Sequence, residues 1–189
     1  SENLKTTHYT NGDAIPNITN NGDWSSLSTG AYGDYDNNPS NSDTYGRFYN
    51  WYTVDDSRGV CPEGWHVPSD DEFKTLEMFL GMSQEEADNY GYRGTNEGSK
   101  LAGNADLWAN GDLENNAEFG TSGFNAFPGG YRGSINGNYS TVGGFGSFWS
   151  SSEFNSNFAW LRILNHNFST MYRGNDSKLS GYSVRCIGD

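Results

Sequence analysis

Three histidines, His8, His66 and His166, are the only imidazoles in the chain, and none shares a helical turn with another as paired metal ligands do. His66 lies in a run that reads as core, where a structural role is expected. The two cysteines, Cys61 and Cys186, form no CxxC, which excludes a zinc knuckle and a thioredoxin-type couple. If bridged, they close a loop of about 126 residues, worth roughly 5 kcal/mol in the chain-entropy model. The alternative is a pair of free buried thiols; a bridge favours an oxidising compartment. There is no Gly-x-Ser-x-Gly elbow and no phosphate loop. Among 24 acidic residues a chance pair of carboxylates says little about acid–base chemistry, so catalysis is not expected. Asp34, Asp36 and Asp43 offer hard oxygen ligands that suit calcium, although such residues also serve simply as turn formers.

Binding chemistry is better represented. Between Trp149 and Gly181, Phe154, Phe158, Phe168, Met171, Tyr172 and Leu179 alternate with Asn155, Asn157, Asn165, Asn167, Asn175 and Asp176. Rigid aromatic anchors among adaptable hydrogen-bonding groups have the composition of a paratope. The expected contact set is Phe154, Asn157, Phe158, His166, Phe168, Tyr172, Asn175 and Asp176, the rings as anchors and the polar groups as hydrogen-bonding partners. Trp149, Trp160, Leu164, Tyr182 and Val184 are expected in the core. Aromatic faces stack on sugar rings and Asn or Asp binds hydroxyls, so a surface glycan is one natural partner and a protein or peptide the other.

The whole composition bears on both readings. A net charge of -13 without a basic stripe argues against nucleic acid, and no apolar run approaches the length of a membrane span. Leu, Ile, Val and Phe number only 31 of 189 residues, a share that with this charge usually signals disorder. Six Trp, 12 Tyr and 11 Phe offset that shortage, because each ring buries roughly 150 to 250 Å². The length suits one domain, residues 1–189, and the absence of a signal peptide before Ser1 fits a processed or excised segment.

The elements that position these residues can be read in part. Ser69-Asp70-Asp71-Glu72 has the capping-box spacing, and Phe73, Leu76, Phe79 and Leu80 form an apolar stripe ending at Gly81, which predicts an amphipathic core helix. A second helix is expected from Ser83, stopping before Gly91. Residues 1 to 50 read as short strands and ordered loops. Tyr45 to Tyr52 holds five aromatics, of which at least three are expected in the core. Asn136-Gly137 signals a type I′ hairpin, and Trp149, Ala159 to Leu164 and Gly181 to Ile187 read as strands. The sum is an α+β domain.

Several of these runs resemble the Fibrobacter succinogenes major paralogous domain, found in secreted and surface proteins of bacteria. They are Glu2 to Lys5, Tyr45 to Tyr52, Cys61 to Ser69, Gly123 to Arg132, Trp149 to Glu153, Ala159-Trp160 and Gly181 to Cys186, in family order along nearly the whole chain. The resemblance implies a C-type lectin-like fold, with a small twisted sheet, flanking helices and long irregular loops, on a secreted protein or the bacterial cell surface. Trp65 to Phe73 also looks like a run of the formylglycine-generating enzymes, which share the broad fold. Those enzymes use two neighbouring cysteines, and the related sulfoxide synthases an iron-binding histidine cluster; Cys61 and Cys186 read as structural and the cluster is missing. Fold kinship does not carry chemistry. The Glu-Pro-Asn and Trp-Asn-Asp motifs of calcium-dependent sugar binding are also missing, which leaves calcium only the Asp34 stretch. The expectation is a non-catalytic ligand-binding module, adhesin or receptor-like. Two alternatives are a passive spacer and a protein whose residues 154 to 179 are diversified by a retroelement acting on Asn codons.

Overall fold

Ser69 and Glu72 open the longest helix as their spacing predicts. The Ser69 side chain accepts from the Glu72 N–H and the Glu72 carboxylate from the Ser69 N–H, so two otherwise orphaned donors are satisfied at the start of Asp70–Phe79. Ser83 and Glu86 repeat the device for Gln84–Asp88. The computed structural model describes residues 2–189. In chain order its helices are α1 (Asn21–Trp24), α2 (Pro39–Tyr45), α3 (Trp51–Val54), α4 (Asp70–Phe79), α5 (Gln84–Asp88) and α6 (Glu97–Leu101). The strands are β1 (Tyr32–Gly33), β2 (Phe48–Tyr49), β3 (Trp65–His66), β4 (Gly91–Arg93), β5 (Tyr131–Arg132), β6 (Tyr139–Ser140), β7 (Phe145–Asn155), β8 (Phe158–Asn165), β9 (Met171–Ser177) and β10 (Ile187–Gly188).

The central sheet is antiparallel in the order β4-β9-β8-β7, and the pairs β1–β2, β3–β10 and β5–β6 surround it. Both faces are packed. Side chains alternate along a strand, so the neighbours Phe148 and Trp149 enter different cores. Trp149 and Leu161 join Tyr49, Trp51, Tyr182 and Val184 on one face, whereas Phe148, Leu164 and Met171 join Phe73, Leu101 and Trp108 on the other. Phe48, Tyr49 and Trp51 are the three buried rings of the Tyr45–Tyr52 run. Cys61 and Cys186 are bridged across a sequence separation of 125, with Cα atoms 5.9 Å apart. No helix among the described residues is long and apolar enough to cross a membrane.

Four expectations need correction. Ala159 to Leu164 lies within a strand as expected, but the rest of the stretch from Phe154 to Leu179 is less loop-like than its Asn and Ser content implies: it holds the end of β7 and all of β9, and Met171 is buried. Gly181 to Ile187 makes isolated bridges to Arg132, Tyr49 and Phe148 in place of a strand, because it runs between three partners; only β10 pairs regularly. Gly133 to Asn138 joins β5 to β6 by a wider loop than a two-residue turn. Arg132 Nε donates to the Gly137 carbonyl, and Gly137, at φ +66°, lies so close to Asn21 that a Cβ would meet the Asn21 carbonyl oxygen at 2.2 Å. Finally, Phe79 is 86% exposed, and the buried face of α4 carries Asp70, Phe73 and Glu77.

Those two acids are buried because arginines of the sheet meet them. Arg162 reaches Asp70 at 2.7 Å and Glu77 at 2.6 Å; Arg173 holds Asp70 by two bonds of 2.7 and 3.0 Å. Arg93 closes on the second oxygen of Glu77 and donates to the Met171 carbonyl at 3.0 Å. Burial opposes the charge on Asp70, yet Arg173 and Arg162 outweigh it and hold the carboxyl down at about 2. Replacing Glu77 by Ala leaves two buried guanidiniums short of a partner and is expected to cost about 3–5 kcal/mol in urea unfolding. Phe79→Ala is expected to change stability by less than about 0.5 kcal/mol in the same experiment. The folded pKa of Asp70 lies below its unfolded value of 3.8, so its contribution is complete above that value and is lost as pH falls towards about 2. Asp70→Asn is expected to lower stability at neutral pH and to flatten this acid limb in urea melts across pH 2 to 6, a window about those two values.

Candidate functional site

The edge strand β4 ends at Gly91, whose register partner is Arg173, so β9 continues beyond it with an open edge. Tyr90 stands at that edge. Its ring lies 6.0 Å from Tyr172 and 6.2 Å from Trp160, centroid to centroid. Strand register places Trp160 opposite Asn175 and Tyr172 opposite Ile163, which assigns the two rings to opposite sheet faces. Tyr90 therefore joins them around the edge. On one side the series continues from Trp160 to Phe154 at 5.0 Å; on the other it runs from Tyr172 to Tyr92 at 5.1 Å and from Tyr92 to Phe168 at 4.6 Å. All five separations fall within the range in which aromatic pairs attract, and most are tilted or edge-on.

This band of six rings faces solvent. Tyr90 is 57% exposed, Phe154 47%, Phe168 45% and Tyr92 43%; Trp160 and Tyr172 are half-buried beneath them. The lower rings are fixed from below. The Arg173 guanidinium stacks 3.8 Å from the Trp160 centroid while its nitrogens hold Asp70 and the Asp88 carbonyl. Asn165 donates to the Tyr92 hydroxyl at 2.8 Å. Burial, with Tyr90 beside it, pushes the Tyr172 hydroxyl up to about 12, so it stays a neutral donor through the physiological range. A band of fixed rings around a sheet edge can adhere to an apolar or ring-bearing partner at little entropic cost.

Of the expected contacts, Phe154, Phe168 and Tyr172 belong to this band. Phe158 and Asn157 are exposed at the β7–β8 turn, where Asn155 Oδ1 accepts from both backbone N–H groups. His166 lies at the other end of β8, roughly 26 Å away for an eight-residue strand, with Nδ1 3.3 Å from the Asn110 carbonyl oxygen. Asn175 is half-buried opposite Trp160. Asp176 belongs elsewhere: it accepts from the Ser180 hydroxyl at 2.9 Å and from the Tyr182 hydroxyl, beneath the opposite end of the sheet from Phe168. Trp160 is half-buried in the band, not in the core: it stacks on Arg173 and meets the exposed rings of Tyr90 and Phe154. Beyond the Tyr-Gly-Tyr alternation nothing local marks Tyr90 and Tyr92, which reach the band through the pairing of β4 with β9.

The three acids of the Asp34 to Asp43 stretch have different surroundings. Asp34 is buried against the Arg47 Nε at 3.0 Å and accepts from the Ser42 hydroxyl, whereas Asp36 and Asp43 stand in solvent. Among the described residues no group of three or more His, Cys, Asp or Glu side chains gathers to hold a metal. A buried carboxylate needs a counter-charge, and Arg47 takes that place. His66 sits between carboxylates, Nε2 2.8 Å from Glu72 and Nδ1 2.6 Å from Asp189, and these hydrogen bonds raise its pKa. It thereby ties the start of α4 to the end of the chain, next to an exposed Trp65 that the sequence places within a core-like run.

No curated protein and no solved structure matches the chain. The model of one family, described as the Fibrobacter succinogenes major domain, matches residues 1–188. With Cys61 to Ser69, Gly123 to Arg132 and Gly181 to Cys186 all inside that span, the chain belongs to the Fibrobacter succinogenes major domain family.

Proposed function

We propose that this chain is a non-catalytic, extracellular ligand-binding module of C-type lectin-like fold, adhesin or receptor-like. The observation that carries the reading is the band of six contiguous rings from Phe154 to Phe168. Exposed rings are ordinary singly, but a contiguous series on a rigid sheet marks an interaction surface. The shape is a shallow strip, which suits an extended partner, a peptide segment or a glycan chain, better than a small substrate. The disulfide fits a protein that works in an oxidising, extracellular setting. It also takes up both cysteines that a formylglycine-generating type of chemistry would use. A spacer has no need to hold aromatic rings out of its core.

Phe154 and Phe168 end the band and are both exposed, so their replacement does not open the core. The double variant Phe154→Ser, Phe168→Ser is expected to keep the wild-type melting temperature within about 2 °C, as surface changes do. It is expected to lose roughly tenfold or more in retention on peptide and glycan arrays and on bacterial surfaces. Unchanged retention would return the chain to the spacer class.

A further inference from the structure

A second concavity lies away from the ring band, between the β5–β6 loop and the end of β9. It encloses about 520 Å³ and is lined by Tyr131, Tyr139, Asn136, Asn138, Ser140 and Asp176, with Ser134 and Ser180 among the remaining residues. From this cleft we infer a binding site for a neutral saccharide, a mono- or disaccharide unit held by its hydroxyls.

The argument rests on what each wall can bind. Asp176 is a preset acceptor that lines the cleft: the Tyr182 and Ser180 hydroxyls donate to Oδ2 and the Ser177 N–H to its other oxygen at 2.7 Å, which fixes the carboxylate plane and leaves one lone pair of Oδ1 to accept from a ligand. The amides are preset too. Asn136 Oδ1 accepts from the Asn138 N–H at 3.0 Å, and Asn138 Oδ1 from Asn21 Nδ2 at 2.7 Å, so both side-chain NH₂ groups are left as donors. The Ser134 and Ser140 hydroxyls can donate or accept. Tyr131 and Tyr139 add half-buried ring walls, and burial pushes the Tyr139 hydroxyl up to about 12, so that wall carries no charge.

Other ligand classes fit less well. An anion would meet Asp176 with no basic side chain lining the cleft among the described residues, on a protein of net charge -13. A metal cation would find a single carboxylate, and none of the described acids gathers there in a metal-binding group. An apolar ligand would strip water from amides and a carboxylate without replacing their bonds. A pyranose supplies hydroxyls that donate to Asp176 and accept from Asn136 and Asn138, with a C–H face for an aromatic wall. The volume falls within the range of small-ligand sites, about 300 to 1,000 Å³. Ring-band binding plays no part in this inference, and each can fail alone.

The test is protein-observed NMR of the ¹⁵N-labelled chain with methyl α-mannoside, methyl β-galactoside, methyl β-N-acetylglucosaminide, lactose and cellobiose, and with methyl glucuronide as the charged control. At least one neutral sugar is expected to shift the Asn136 and Asn138 side-chain amides in a saturable way. The glucuronide is expected to bind roughly tenfold more weakly than the matching neutral glycoside, and Asp176→Asn to narrow that gap. Because Asp176 also supports Tyr182, Ser134→Trp on the exposed loop serves as a second variant. It fills the cleft and should abolish the shifts without altering the Phe168 and Tyr92 resonances. Absence of saturable shifts with every neutral sugar would overturn the site. So would binding that survives Ser134→Trp, or a glucuronide that binds as well as the neutral glycosides.

Discussion

Two carboxylates and three guanidiniums, sealed between α4 and the sheet, constrain everything around them. An isolated buried charge is very costly, so Asp70 and Glu77 can leave water only if Arg162, Arg173 and Arg93 arrive in register. Three strands are thereby indexed to one helix: β8 through Arg162, β9 through Arg173 and β4 through Arg93. The same guanidiniums reach outward. Arg93 also binds the Met171 carbonyl and Arg173 the Asp88 carbonyl, which sets how β4 and the end of α5 meet β9. Tyr90 and Tyr92 ride on that placement, and Trp160 rests on Arg173 itself. The solvent-facing ring band is in this sense the outer surface of an internal ionic lattice.

Arginine is also core material among rings and backbone carbonyls. Arg132 is fully buried, sandwiched between Trp24 at 4.2 Å and Tyr139 at 4.6 Å, with its nitrogens on the carbonyls of Gly137, Ile18 and Asn20. Arg185 is buried over Phe124, and its nitrogens meet the side-chain oxygen of Asn3 and the carbonyls of Phe124 and Asn125. Burial draws the Arg185 pKa down to about 10, still far above neutrality, so it remains a cation. A planar cation with five donors can satisfy the carbonyls of irregular loops while stacking on rings. That pairing explains how a chain with so few aliphatic residues, and so much backbone outside helices and strands, can close two cores.

The legible parts of the sequence were those with local physics. Ser69 and Glu72, Ser83 and Glu86, the ring-rich run at Tyr45 to Tyr52 and the two cysteines could be read because a cap, a cluster or a bridge is written in neighbouring letters or in a count. Asp70 and Glu77 could not. On a helix, an acid facing solvent and an acid facing a buried arginine obey the same periodicity, and apart from Arg93, 16 residues beyond Glu77, the partners lie 85 to 103 residues away. The apolar spacing favours Phe79 for the buried face because it counts only apolar letters, and Glu77, which takes that face, is not one of them. For the surface, Phe154, Phe168 and Tyr172 were readable from composition, whereas Tyr90 and Tyr92 join them only through the pairing of β4 with β9. Asp176 shows the converse: two hydroxyl partners near it in sequence, Ser180 and Tyr182, draw it away from the rings.

The separation between α4 and its arginines also bears on the order in which the chain is made. Synthesis proceeds from the N-terminus, so Asp70 and Glu77 emerge long before Arg162 and Arg173, and the disulfide partner of Cys61 follows later still. Arg93 follows Glu77 by 16 residues and can meet it early, whereas Arg162 and Arg173, the guanidiniums that hold Asp70, come only with the last strands. The seam between α4 and the sheet can therefore close only once β8 and β9 have been made.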